Sequence, residues 1–527
     1  MLSRDKIPEN SECELAILVE NTGGGGGVNG GVYAYLKPAG SEPTPERAEG
    51  DFDDSSWRRV DVPHDYVIEG KMSERGSHAG LEKPEAWYRK TFEAPKSWEG
   101  KAVSIDFDGV FRNFKVWLNG HYLGNHKSGY IGVACEISEH LNFGGKNTLA
   151  VFVDPSSHEG WWYEGGGIYR HVWLNVRDNL HIAKDGVFVK SEVKNIRGDF
   201  ARADLNLELD IENFGVKSEN FSIVCDIIDG DSKPVKSARL ENLSLAKNSK
   251  GKFNLSLELD KAKLWSLENP ALYEARVRIE RAGNFCDSVS QTFGVRTLRF
   301  DPDEGFFLNE KPVKIKGSCN HMDFPGLGVA LPDNLHAWRI NKLKAVGCNA
   351  WRTSHNPVNS EMLDACDRLG MLVLNETRHF GDTSAMKSAL ETPSEDLSEL
   401  KLFVLRDRNH PSVIAWSIAN EEHMIEKTRQ GEAIAKKMRD IVYELDGTRP
   451  VTAGVIEHFA GYGGISNAID IEGFNYGPAQ NFDKFKKLNP AKPQLATEIT
   501  SALATRGEYK SDSFFVGKKG STPKVVE

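Results

Sequence analysis

Asn409-His410-Pro411-Ser412-Val413-Ile414-Ala415-Trp416-Ser417-Ile418-Ala419-Asn420-Glu421-Glu422 is the stretch on which the reading of this chain turns. Val413 to Ile418 is a mostly apolar run of strand length, the mark of a strand buried on both faces. An Asn-Glu pair stands where that strand should end. A carboxylate leaving a buried strand into a cleft can have its pKa raised, so that it donates a proton near neutral pH. A second carboxylate closes a similar run, Gln494-Leu495-Ala496-Thr497-Glu498. Other short apolar runs surround these two: Lys314 to Gly317, Asn349 to Ser354, Leu372 to Glu376, Val451 to Gly454 and Ile471 to Asn475. Helical patterns lie between most of them, near Asn334 to Val346 and Ser360 to Leu369 among others. Repeated strand-helix units of this kind predict a TIM barrel. A barrel of this type closes with eight strands. Only the 29 residues from Ile499 to Glu527 follow the seventh, and they carry glycines and a proline but no clear buried strand. The expectation is a (β/α)8 barrel lacking its last unit.

Upstream of about residue 294 the texture is all β. Residues 1–48 read as a flexible leader, because Gly23 to Gly27 is a run of glycines that supports neither helix nor strand interior. Residues 49–180 hold short alternating runs such as Ala102 to Phe107 and Phe114 to Leu118. The Asn119-Gly120 hairpin dipeptide follows them, and the expectation is a jelly-roll sandwich. Residues 181–293 alternate strictly at Ala203 to Ile211, with the size and strand spacing of an immunoglobulin-like sandwich. Residues 294–527 form the barrel segment. The fold class is therefore multidomain, β followed by α/β.

Composition narrows the function. The net charge of −10 over 527 residues argues against a nucleic-acid or anionic-membrane partner, since both require clustered Lys and Arg. No run reaches the ~18 apolar residues of a membrane span. The seven cysteines are odd in number and form no CxxC, which predicts isolated buried thiols and no zinc site. Neither a cofactor nor a metal is indicated. The compartment stays open: cytoplasmic if Met1 is the native start, periplasmic or secreted if a leader precedes it. A homo-oligomer is compatible with all of this.

Catalytic groups of such barrels sit at the C-terminal ends of strands. His321, Arg352, His355, Asn356, Glu376, Asn420, Glu421, Asn475, Tyr476 and Glu498 fall at such ends. Glu422 is the rival of Glu421, because adjacent residues cannot both face one substrate oxygen. Arg352 has a structural alternative, pairing with carboxylates near the barrel mouth. Trp161-Trp162-Tyr163 could stack on a ligand ring or pack as an aromatic turn between domains.

Several motifs together resemble glycoside hydrolase family 2, the β-galactosidase and β-glucuronidase family. They are Gly347-Cys348-Asn349-Ala350-Trp351-Arg352-Thr353-Ser354-His355-Asn356-Pro357, the stretch from His410 to Glu421, Thr448 to Thr452, Gly473-Phe474-Asn475-Tyr476 and Thr497-Glu498. Pro63-His64-Asp65, Trp87-Tyr88-Arg89 and Gly167-Ile168-Tyr169-Arg170 fit as well. The resemblance implies a retaining exo-β-glycosidase acting on a β-linked oligosaccharide or glycoside, most simply a terminal β-galactoside. Glu421 is then the general acid/base and Glu498 the nucleophile. Asn420 would bind the sugar 2-hydroxyl and Tyr476 would hydrogen-bond Glu498. His321, Arg352, His355 and Asn356 would line the sugar subsite or hold the carboxylates. β-Glucuronidase and β-mannosidase are alternatives within the family. A non-catalytic carbohydrate-binding protein is the alternative from another class. Some family members bind magnesium through Glu-x-His after strand three. Here the run is Glu376-Thr377-Arg378-His379, with the histidine displaced by one, and no metal is assigned.

Overall fold

Period-two alternation builds the first half of the chain. A computed structural model describes residues 14–19, 32–37, 45–71, 81–157, 162–378, 397–422, 426–456 and 463–499. Along Phe200–Asn213 the side chains of Ala201, Ala203, Leu205, Leu207, Leu209 and Ile211 are all buried. Their burial contributes on the order of 10 kcal/mol, comparable to the whole net stability of a typical domain. A one-residue slip would turn them all to solvent, so the register against Leu180–Arg197 and Ser249–Lys263 is firmly set. That sheet faces a second one in the order Pro234–Leu245, Glu219–Ile228, Tyr273–Arg281, Asn284–Phe293, and the two share one core. This is the immunoglobulin-like sandwich. The jelly-roll sandwich precedes it. One of its sheets runs Ala86–Ala94, Gly145–Val153, Phe114–Leu118, His121–His126, and the other Val172–Arg177, Ala102–Phe107, Val133–Glu136.

Seven parallel strands then lie side by side in chain order. We number them β1 (Gly317–Cys319), β2 (Ala350–Arg352), β3 (Leu372–Glu376), β4 (Val413–Asn420), β5 (Val451–Val455), β6 (Ile471–Asn475) and β7 (Gln494–Glu498). Parallel neighbours need crossovers. These are supplied by α1 (Asp333–Ala345), α2 (Ser360–Leu369), α3 (Ser398–Asp407), α4 (Arg429–Leu445) and α5 (Ala479–Leu488), while a 3-10 turn at Gly464–Asn467 precedes β6. All eight residues of β4 are buried, as a strand covered on both faces requires. Gly370 ends α2 in the left-handed conformation at φ +67. A Cβ there would also sit 2.4 Å from the Leu267 carbonyl oxygen, so the position admits only glycine.

Two expectations need correction. Within the stretch expected to be a flexible leader, Glu14–Val19 pairs antiparallel with Val32–Lys37; both are apolar, strand-forming runs, and the glycine run separates them in sequence. The first barrel strand is Gly317–Cys319, where Lys314 to Gly317 was expected. The Asn349 side chain explains the shift, because its amide bonds the Lys314 carbonyl at 2.9 Å and the Lys316 N–H at 2.7 Å. Those groups are thereby taken out of the ladder. The expected end of the barrel falls mostly on residues 500–527, outside the described residues. Among the described cysteines, Cys225 and Cys366 are buried as expected, whereas Cys319 is exposed. No helix among the described residues is long and apolar enough to cross a membrane.

Each sandwich grips one end of the barrel. At the N-terminal end of β4, Arg296 donates to the carbonyls of Pro411 and Val413, and Asn409 bonds the main chain of Val187 and Val189. The Trp265 indole donates to the Asp367 carbonyl. At the C-terminal end, Asp65 accepts from the Val329 N–H at 3.0 Å, and Arg170 donates to the Pro357 carbonyl at 2.7 Å. Beside the lower contact, His410 Nδ1 lies 2.6 Å from Asp367 Oδ2, while Asp367 Oδ1 accepts from the Ser412 N–H. Burial alone would lower the His410 pKa, but the Asp367 carboxylate overrides it and raises the pKa to about 9. A histidine pKa raised on folding stabilises fully below the ordinary value of ~6.5 and ceases to as pH climbs through the folded value. The contribution is on the order of 3 kcal/mol. The stability difference between the wild type and His410→Gln, measured by urea unfolding, is therefore expected to be largest at and below about pH 6, to fall progressively between about pH 6.5 and 9, and to be nearly gone above that.

Candidate active site

Polar side chains gather at the C-terminal ends of the strands, and a buried guanidinium organises them. Arg352, the last residue of β2, is 4% exposed. Its Nε and Nη2 donate to Glu376 Oε2 at 3.0 and 2.6 Å, and its Nη1 to Glu498 Oε2 at 3.0 Å. Nη2 also reaches Asn420 Oδ1 at 2.6 Å. Burial alone would depress the arginine pKa, but Glu376 and its neighbours raise it. Glu376, at the end of β3, is fully buried. It also accepts from His355 Nδ1 at 2.8 Å and from Ser417 Oγ at 2.7 Å. Burial pushes its pKa up, yet Arg352, His355 and Ser417 together bring it down to about 2. Glu376 is thus a permanent anion whose oxygens are committed to holding Arg352 and His355.

Asn475, at the end of β6, is the second hub. Its Nδ2 lies 2.8 Å from Asn420 Oδ1, 2.9 Å from Glu421 Oε1 and 3.3 Å from Glu498 Oε2. Thr497 Oγ1 donates to its Oδ1 at 2.7 Å, which fixes the amide orientation. The two carboxylates therefore approach each other within the span of two hydrogen bonds laid end to end. Asn420 Oδ1 accepts from both Arg352 and Asn475, so its own Nδ2 is the face left for another partner. The neighbour on β5 is Gly454. A Cβ at that position would lie 2.6 Å from Asn420 Oδ1 and 2.8 Å from Arg352 Nη2, so only glycine lets these groups meet.

The two carboxylates differ in their surroundings. Glu498 is faced by three donors: the Arg352 guanidinium, the Asn475 amide and the Tyr476 hydroxyl, which bonds Oε1. Among the described residues Glu421 receives one donor, the neutral amide of Asn475. Both Glu421 and Tyr476 hold left-handed backbone, at φ +54 and +56, a conformation costing a non-glycine residue about 1 kcal/mol or more. Main-chain bonds hold them there: Glu421 N–H to the Gly454 carbonyl at 2.8 Å and Tyr476 N–H to the Glu498 carbonyl at 2.5 Å. Glu422 turns elsewhere, with Oε1 3.5 Å from Arg378 Nε.

The wall beside the carboxylates is aromatic. His321 stacks on Trp162 with ring centres 5.1 Å apart and meets His355 edge-on at 5.6 Å. Burial first, then the neighbouring His355, lowers its pKa to about 4, so it is a neutral ring. Trp162 comes from the jelly-roll domain, and the Arg378 guanidinium lies over its ring, 5.6 Å from the centre. Of the two readings of the aromatic turn, packing between domains therefore describes Trp162, while Trp161 lies outside the described residues. Asn356 is buried in the loop after β2, where its N–H closes a turn onto the Thr353 carbonyl. Among the described residues it contributes no hydrogen bond to either carboxylate.

His321, Arg352, His355, Asn420, Glu421, Tyr476 and Glu498 are thus brought together, with Asn356 at the margin. Sequence spacing marked Glu376 and Asn475 only as strand-end polar residues, and their roles as counter-charge and bridge come from pairing across strands. Cys319 was also missed. Its thiol donates to the Thr497 carbonyl at 3.1 Å, tying β1 to β7. One further group of described side chains, Asp364, Asp367 and His410, is spaced closely enough to share a cation. It lies at the opposite end of the barrel and is internally hydrogen-bonded.

Family models cover most of the chain. The glycosyl hydrolases family 2 sugar binding domain matches residues 65–177, the glycosyl hydrolases family 2 model residues 180–296, and that family's TIM barrel domain residues 302–511. Beta-galactosidase BoGH2A of Bacteroides ovatus is 34% identical over 525 residues, covering 90% of this chain and 60% of the relative. A beta-galactosidase of Thermoanaerobacter pseudethanolicus is 31% identical, covering 77% of this chain and 52% of its own length. The crystal structure of a beta-glycosidase from Bacteroides vulgatus superposes with a TM-score of 0.77 at 34% identity, covering 88% of this chain and 58% of that one. A Bacteroides uniformis beta-glucuronidase gives 0.75 at 26%, with the same coverage. The chain spans about three fifths of the length of these relatives or less.

The Arg352–Glu376 pair generates a stability prediction. Arg352→Met leaves Glu376 buried without its cation and is expected to destabilise by about 3–5 kcal/mol. The double variant Arg352→Met/Glu376→Leu should lose less than the sum of the two single changes. Urea unfolding of the four proteins measures both.

Proposed function

The chain belongs to glycosyl hydrolases family 2, and from that membership we propose that it is a retaining β-glycosidase acting on terminal β-galactosides. The observation that carries the reading is the Asn475 amide bridging Glu421 and Glu498. One amide touching an oxygen of each carboxylate keeps the two groups close, which supports the ~5–5.5 Å arrangement of retaining pairs over the wider one that leaves room for a water.

In this reading Glu498, the anion faced by guanidinium, amide and phenol, attacks the anomeric carbon. The bond from that carbon to the aglycone oxygen breaks, and Glu421 gives the departing oxygen its proton. Water then enters. Glu421 takes a proton from it, the water oxygen bonds the anomeric carbon, and the ester to Glu498 breaks. Two displacements return the original configuration. Asn420 Nδ2, which no described residue engages, donates to the sugar 2-hydroxyl in this reading, Tyr476 orients Glu498, and His321 with Trp162 forms an apolar wall for the ring. Arg352 and His355 position Glu498 and, with Glu376, keep the pocket floor rigid.

A β-glucuronidase must meet a sugar carboxylate with a cation. Among the described residues Arg352 is committed to Glu376 and Glu498, and Arg378 faces Glu422, which supports a neutral glycoside. The similarity to a Bacteroides uniformis beta-glucuronidase makes the glucuronide the first comparator. A carbohydrate-binding protein without turnover is the reading to exclude.

A panel of aryl β-glycosides separates these outcomes. The galactoside is expected to release its phenol fastest, and proton NMR should show the β-anomer as first product. Glu421→Gln should slow substrates with poor leaving groups by roughly 10²–10⁴-fold, and those with acidic phenols far less. A first-formed α-anomer would refute double displacement, and saturable sugar binding with no release would favour the binding protein.

A further inference from the structure

A cavity outside the carboxylate pocket lies where the jelly-roll domain meets the flank of the barrel, between α1, α2 and β2. Three of its lining side chains are Arg170, His336 and Trp351, which are 3%, 4% and 2% exposed. Each carries one buried nitrogen with no hydrogen-bond partner among the described residues: Arg170 Nε, His336 Nδ1 and Trp351 Nε1. All three are donors. The indole and guanidinium nitrogens can only donate. For His336 the neighbours decide. Asn359 Nδ2 donates to Glu361 Oε2 at 3.0 Å and lies 2.8 Å from His336 Nε2. The amide nitrogen is thereby fixed, Nε2 accepts, and Nδ1 carries the proton. Burial lowers the His336 pKa to about 4, so the ring is neutral.

Arg170 adds charge. Its Nη1 donates to the carbonyls of Asp108 and Tyr130, and its Nη2 to the Pro357 carbonyl and Met322 Sδ. None of these hydrogen-bond partners is an anion; Glu361 and Asp108 act on the guanidinium only at a distance, and burial outweighs them in lowering its pKa, so a directly bonded anion would relieve a costly buried charge. Asp333 and Glu361 also border the cavity, but Asp333 faces His171 and Glu361 faces Asn359.

We propose that this cavity is a halide site, holding one chloride ion on Arg170 Nε, His336 Nδ1 and Trp351 Nε1. Three features select that occupant. The unanswered groups are donors only, whereas a water molecule must also donate. The guanidinium supplies the opposite charge. The room available to the centre of a water-sized sphere is about 20 Å³, enough for a small occupant and too little for a sugar. Trp351 precedes Arg352 and Met322 follows His321 in sequence, so the ion would brace the segments that carry both site residues.

The test uses the full chain and bromide as a probe with chloride's chemistry. Crystals grown in bromide should show an anomalous peak within hydrogen-bond reach of the three nitrogens. In solution at constant ionic strength, chloride and bromide should each raise the melting temperature saturably by roughly a few degrees, and gluconate should not. Trp351→Phe, which removes one donor, should raise the half-saturating chloride concentration about tenfold. Water density alone in the cavity, or equal stabilisation by gluconate, would overturn the assignment.

Discussion

A single buried cation holds the candidate site together. Arg352 sits under 4% exposed at the mouth of the barrel and donates to groups from three other strands: Glu376 on β3, Asn420 on β4 and Glu498 on β7. A guanidinium suits this position because its planar fork presents several donors in fixed directions and it never loses its charge. Burying that charge is tolerable only because Glu376 lies against it, itself fully buried and held as an anion near pKa 2. The pair is rigid because both partners would be stranded without each other. Everything closer to the substrate inherits that rigidity. Asn420 is oriented by Arg352, Asn475 by Asn420 and Thr497, and the two carboxylates by Asn475.

The asymmetry between Glu421 and Glu498 follows from the same network. A guanidinium, an amide and a phenol face one carboxylate, and a lone amide faces the other. Two acidic side chains of the same type thereby meet different surroundings, the condition under which the proposed acid and nucleophile roles can be divided between them. The left-handed backbone at Glu421 and Tyr476 belongs to this design, since it turns side chains sideways at the strand ends, across the barrel mouth.

Much of this was legible in the sequence. Six barrel strands were readable from apolar runs of strand length, and Ser360–Leu369 from its helical spacing, because local pattern alone sets those elements. The first strand was misplaced because the cause, the Asn349 side chain occupying the main chain at Lys314 and Lys316, is a contact across more than thirty residues. Candidate residues at strand ends were found for the same reason as the strands. What could not be read was which of them touch. Nothing local distinguishes Asn475 as a bridge, Glu376 as a counter-charge, or Gly454 as the gap through which Asn420 and Arg352 meet. These roles exist only once four strands stand next to one another in register.

Trp162 carries a separate lesson. This ring belongs to the first sandwich yet forms one side of the recess against His321 and His355. Part of the recess is thus encoded some 160 residues upstream of the barrel in sequence, on a module with its own core. Exchanging that module between homologues would remodel the recess while leaving every barrel codon untouched. Selection acting on one domain can in this way reshape the surroundings of another domain's strand ends.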